Sequence, residues 1–114
     1  MVGRYVVGID GSSPSMAALR WATDRALPER AAVVLVHVRD PEAGMMGEDF
    51  AREESLRSSG LLARLMGELV PTGIDVSATV LDGPVTAALA GHVTLDDIVV
   101  IGTHKIGFLH GRVL

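Results

Sequence analysis

The chain has 114 residues, of which 48% are hydrophobic and 21% charged, with a formal net charge of −4 and no cysteine. That composition describes one globular domain, at the small end for a doubly wound fold. Disulfide and thiolate chemistry are excluded, the lack of a basic run argues against nucleic acid as a partner, and no apolar stretch approaches the roughly 18 residues of a membrane span.

Met1-Val2-Gly3-Arg4-Tyr5 runs straight into a strand and leaves no room for a signal peptide, so a cytoplasmic location is expected. Tyr5-Val6-Val7-Gly8-Ile9 is a short apolar strand that stops at Asp10-Gly11-Ser12-Ser13-Pro14. Pro14 suits the first position of a helix and Ser13 its cap, because proline there gives up no needed N–H. The helix predicted over about 14–27 keeps the small residues Ala18, Leu19, Ala22 and Ala26 on one face, with Trp21 near that stripe as packing. Pro28-Glu29-Arg30 is expected to end it, and residues 32–38 form a second buried strand.

Pro41, Gly44 and Gly47 mark a surface loop between Arg39 and Gly47. A long helix is predicted from about Glu48 to Val70, with Leu62, Leu65, Met66 and Leu69 inward and Glu53, Glu54, Arg57 and Arg64 toward water. Pro71-Thr72-Gly73 breaks it. Ile74, Val76, Ala78 and Val80 then alternate, as in a less buried strand at a sheet edge. Gly83-Pro84 opens a short helix reaching about His92, and Asp96 begins the last strand. There, Ile98-Val99-Val100-Ile101 is apolar without alternation, which a central parallel strand covered by helices requires.

The order β-α-β-α-β-α-β predicts a parallel sheet with right-handed crossovers. No final strand or helix follows, so the expectation is a single domain over residues 1–114 that lacks its last βα segment. Gly102 places a glycine-containing loop at the carboxyl end of the fourth strand, where open α/β sheets bind ligands.

Several chemistries fail at the residue level. A haloacid dehalogenase-type phosphotransferase needs two aspartates one residue apart, and Gly8 stands where the nucleophile belongs. Neither a Walker-type phosphate loop nor a G-x-G-x-x-G turn nor a G-x-S-x-G elbow occurs. His37, His92, His104 and His110 lack metal-site spacing and read as structural histidines, although His104 lies in the candidate ligand loop. Asp10 has two roles open to it: accepting hydrogen bonds from a ribose or adenine, or capping the helix that follows. Backbone N–H groups over 102–105 suit phosphate oxygens, and Lys105 and Arg112 add positive charge or are simply solvated.

Gly8-Ile9-Asp10-Gly11-Ser12 with Ser15, Ala18-Leu19 and Trp21-Ala22 resembles the opening of the universal stress protein family. Leu35-Val36-His37-Val38, Gly83-Pro84 and Asp97-Ile98-Val99-Val100-Ile101-Gly102-Thr103-His104 resemble its second strand, third helix start and fourth strand, in order along the whole chain. The resemblance implies an open parallel α/β sheet with helices on both faces, strand order 3-2-1-4-5 with the fifth strand missing here, and a homodimer. It also implies a non-enzymatic stress-response module in the cytoplasm, with weak ATP hydrolysis as the remaining enzymatic option. Some family members bind ATP through G-x-x-G followed by a later G-[ST]. Gly102 fits the first glycine, Lys105 replaces the second, and the closing pair would fall beyond Leu114.

If ATP is the cofactor, the resemblance puts Asp10 and Val38 at the adenosine, with Ile9 and Ile101 lining the base. Gly102, Thr103 and Lys105 then lie by the phosphates, and Gly8 completes the set. The alternative is a member that binds no nucleotide and acts through dimerisation and protein partners, with Lys105 filling the phosphate site. Neither reading involves metal, nucleic acid or a membrane.

Overall fold

The computed structural model describes residues 3–39 and 47–102. In chain order these form β1 (Arg4–Gly8), α1 (Ser13–Glu29), β2 (Ala32–Arg39), α2 (Glu48–Leu69), a 3-10 turn (Val70–Thr72), β3 (Val76–Asp82), α3 (Val85–His92) and β4 (Asp97–Val100). The four strands make one sheet in the order β3-β2-β1-β4. Every pairing is parallel: Val6 of β1 stands beside Val34 of β2 and Val99 of β4, and Leu35 of β2 stands beside Ala78 of β3.

Strand alternation divides the core in two. Tyr5, Val7 and Ile9 join Val33 and Leu35 on the face covered by α1 and α2, packing with Ala18, Leu19, Ala22, Leu62 and Leu65. Val6, Val34 and Val36 point to the other face, where Leu89 of α3 covers them. The small residues of α1 bring that helix close to the sheet, and Ala22 and Ala26 are completely buried. Trp21 packs edge-on to Tyr5, ring centroids 5.9 Å apart, with the Arg25 guanidinium 3.8 Å above the indole.

Several boundaries differ from those predicted. The cap of α1 is Ser12, whose Oγ accepts from the Ser15 N–H at 3.3 Å; Ser13 is the first helical residue and Pro14 the second. Pro14 still sacrifices nothing there, since the N–H groups of a helix's first turn have no carbonyl partner within it. The helix also passes through Pro28 and ends at Glu29. In the last turn proline forfeits one hydrogen bond, and left-handed Arg30 (φ 58°) then closes the helix through bonds back to Ala26 and Leu27. In β3, Ala78 and Val80 are exposed while Thr79 and Leu81 are half-buried against the α3 side. Among the described residues β3 is an edge strand, as its weak pattern suggested. Among the described residues β4 also has a neighbour on one side only, and Ile98 and Val99 are half-buried rather than enclosed.

Tyr5 is 1% exposed, and its hydroxyl donates to Glu29 Oε2 at 2.6 Å. Burial, and then the Glu29 carboxylate, push its pKa from 10.0 up to about 12. A folded-state pKa raised in this way contributes stability below the unfolded value and loses it as pH climbs through the folded one. Tyr5 is the only tyrosine, so tyrosinate absorbance is expected to stay flat past pH 10.0 and to rise near 12, together with unfolding. A folded protein that ionises its tyrosine near pH 10.0 would contradict this placement.

Candidate functional site

The order β3-β2-β1-β4 reverses direction between β1 and β4, because the chain first builds outward to β3 and then crosses back. At such a point the loops after the two strands diverge and leave a crevice at their carboxyl ends. Gly8, Ile9 and Asp10 from the end of β1 form one side of it, with Ser15 from the first turn of α1. Ile101 and Gly102, just past β4, form the other. Val36 and Val38 of β2 and Leu89 of α3 complete the wall around an open hollow of about 430 Å³, the solvent at its mouth included.

Six of the eight sequence-predicted site residues, Gly8, Ile9, Asp10, Val38, Ile101 and Gly102, therefore meet around one hollow. Thr103 and Lys105 lie outside the described residues, as do His104, His110 and Arg112. Ser15, Val36 and Leu89 also line the hollow and were missed. Val36 had a signal in the two-residue strand period, which puts it on the face of Val38.

Two glycines shape the hollow in different ways. A Cβ on Gly8 would have only Ile101 Cγ1 nearby, at 4.0 Å, so the missing side chain is what opens the floor. A Cβ on Gly102 would collide with the Pro14 carbonyl group and stand 2.6 Å from Ser15 N. Glycine at 102 thus lets the strand end lie directly on the first turn of α1, joining both walls.

Asp10 is the acidic group of the lining. Its Oδ1 accepts from the Ser12 N–H at 2.8 Å and from the Ser12 hydroxyl at 2.5 Å. It does not cap α1 itself; it holds the serine that does. Burial pushes its pKa up, but the hydrogen bonds from Ser12 outweigh this and keep Asp10 below the usual carboxylate range. Both bonds fall on Oδ1, so among the described residues Oδ2 is left to accept from a ligand. The hollow thus joins an apolar floor and wall to an ionised acceptor at the rim.

Around it, the structural reading of His37 is supported: Nδ1 is 2.8 Å from the Ile9 carbonyl and Nε2 is 2.7 Å from Ser58 Oγ. Among the described residues no group of three or more His, Asp or Glu could hold a metal ion, and no helix is long and apolar enough to cross a membrane.

The chain matches the model of the universal stress protein family over residues 1–114. No curated protein sequence matches it significantly. Among solved structures, a universal stress protein family member from Burkholderia pseudomallei is similar at 21% identity and a TM-score of 0.65, over 90% of this chain and 82% of that one. A universal stress protein in complex with cAMP is similar at 21% identity and a TM-score of 0.60, over 78% and 66%. The hypothetical protein MJ0577 is similar at 19% identity and a TM-score of 0.64, over 90% and 74%.

Proposed function

This chain belongs to the universal stress protein family, and on that basis we propose that its hollow holds the nucleoside part of an adenine nucleotide. In this reading the protein is a regulatory module rather than an enzyme. The observation that carries the reading is the pairing of β1 with β4, which sets an ionised Asp10 beside an apolar wall of Val36, Val38, Leu89 and Ile101. A purine presents flat apolar faces suited to that wall, and ribose hydroxyls donate hydrogen bonds suited to a carboxylate at a strand's end. The universal stress protein solved in complex with cAMP supports the same class of ligand. The family resemblance assigns the phosphates to Gly102, Thr103 and Lys105, the last two of which lie outside the described residues. The cytoplasm and a homodimer remain the proposed setting.

The experiment is calorimetric titration with AMP, ATP and cAMP against wild type, Gly8→Val and Asp10→Ala. Wild type is expected to bind with a dissociation constant below about 1 mM. Gly8→Val is expected to abolish binding while melting near wild type, because a Cβ there meets only Ile101 Cγ1, at 4.0 Å, and the residue lines the hollow. Asp10→Ala is expected to weaken binding about tenfold, the value of a hydrogen bond to a charged group. Gly8→Val binding as tightly as wild type would contradict the placement. Lys105→Gly tests the other reading: binding gained only in that variant would mean that the lysine closes the phosphate site.

A further inference from the structure

His37 lies on the α2 face of β2, opposite the hollow, yet it is bonded at both ring nitrogens. The Ile9 carbonyl, 2.8 Å from Nδ1, can only accept, so Nδ1 carries a proton. Nε2 of the neutral ring is then an acceptor, and the hydroxyl 2.7 Å away belongs to Ser58 of α2, which is 7% exposed. Ser58 Oγ is also 2.8 Å from the Glu54 carbonyl of its own helix. One hydroxyl proton cannot serve both acceptors at full strength, and the ring nitrogen needs it more, because the Glu54 carbonyl sits within a helical ladder.

The bridge runs from α2 through His37 to a particular point on the site. β1 ends at Gly8, and the Ile9 N–H makes its last ladder bond, to the Val36 carbonyl at 2.8 Å. The Ile9 carbonyl is thus the first group past the strand, joined by one peptide bond to Asp10. A second α2 residue reaches the same loop: Leu61 Cδ2 lies 3.4 Å from where a Cβ on Gly11 would stand. Gly11 has φ +84°, a conformation that tolerates little displacement by any other residue.

We infer that His37 and Ser58 are positioning residues for the hollow: an Nδ1–H imidazole, anchored on α2, fixes the Ile9 carbonyl and through it the Asp10–Ser12 turn at the rim. This rests on the proposed function for its importance to a ligand, but not for its structural content. Helix α2, otherwise remote from the hollow, becomes the part of the molecule that sets the rim's geometry. Anything that displaces α2 then changes the site, and a bound ligand in turn steadies α2.

Two measurements on the full chain test this. Two-bond proton–nitrogen NMR in alkaline buffer is expected to find His37 as the Nδ1–H tautomer, and an Nε2–H tautomer overturns the inference. Amide exchange of Ser12 and Ser15 is then compared with that of Val6 and Val34 in the core. His37→Phe and Ser58→Ala are expected to speed exchange in the turn about fivefold more than in the core, as loss of a local hydrogen bond does. His37→Asn, whose amide nitrogen takes the place of Nδ1, is expected to restore protection, which a role in packing alone would not allow. If His37→Phe fails to fold, Ser58→Ala, which removes a single oxygen, decides the matter. Turn protection unchanged relative to the core in Ser58→Ala overturns the inference. AMP affinity is expected to follow the same order, about fivefold weaker in Ser58→Ala. A wild type that binds no nucleotide would sink the proposed function while the exchange results still decide the role of His37.

Discussion

Gly102→Ala is expected to lower the melting temperature by about 10 °C or more. The added Cβ would overlap the Pro14 carbonyl group and crowd Ser15 N, and all of these are backbone atoms that no rotamer change can move aside. Either the end of β4 or the first turn of α1 has to shift, and overpacking of that kind costs about 3 kcal/mol or more. In a domain of this size each kcal/mol moves the midpoint by roughly 4 °C. The shift would also part the two walls of the hollow, so nucleotide binding is expected to fall with stability. Gly8→Ala is the matched control: its Cβ meets only Ile101 Cγ1, at 4.0 Å, and it is expected to melt within a few degrees of wild type. Equal melting temperatures for Gly102→Ala and wild type would mean that the two segments do not lie in contact.

Asp97→Ala is expected to cost about 2–3 kcal/mol, somewhat less than a fully buried pair because water reaches Arg4. The Asp97 side chain is 1% exposed and that of Arg4 33%. Arg4 donates to it through Nε at 3.1 Å and Nη2 at 2.6 Å, and the Thr94 N–H donates to the same carboxylate at 2.9 Å. Truncation takes the carboxylate from the guanidinium, leaving it the His92 carbonyl at 3.3 Å from Nη2, and frees the turn that leads into β4. The hydrogen bonds from Arg4 hold the Asp97 pKa below its usual range, so the folded state takes up this proton less readily than the unfolded chain. The contribution is therefore full above the ordinary aspartate range and is lost as pH falls through the depressed folded-state value. Chemical denaturation of wild type and Asp97→Ala at neutral and acid pH is expected to give curves that converge toward low pH. A gap that stays constant with pH would remove the ion pair from the account. The exposed pair of Arg39 and Asp82, 47% and 75% exposed, is expected to contribute little by comparison.

Much of the architecture was legible in the residues. Apolar runs such as Val33 to Val36 announce buried parallel strands, and the spacing of Leu62 and Leu65 identifies the inner face of α2. The crevice followed from the strand order that the family resemblance implied, since Gly8 to Asp10 and Ile101-Gly102 each fall where a strand ends. What escaped lies in pairs that chain separation hides. Arg4 and Asp97 are 93 residues apart, and His37 and Ser58 are 21 apart on different kinds of element. Leu89 escaped for another reason: α3, Val85–His92, is apolar nearly all round, so periodicity cannot say which side faces the sheet. The shift of the cap from Ser13 to Ser12 is the usual one-residue ambiguity among adjacent serines, resolved here by Asp10 gripping Ser12. Gly102 was read as the glycine of a ligand loop; in the structure its missing side chain also lets the first turn of α1 lie against the end of β4.

The central claim is that the meeting of β1 and β4 makes a nucleoside site. The most direct measurement is a backbone-amide NMR titration of the wild-type chain with AMP. The account expects the largest shifts at Gly8, Ile9, Asp10, Val38, Leu89, Ile101 and Gly102, saturating together. Shifts confined to β3 and its exposed edge, or none with AMP at several times 1 mM, would contradict it.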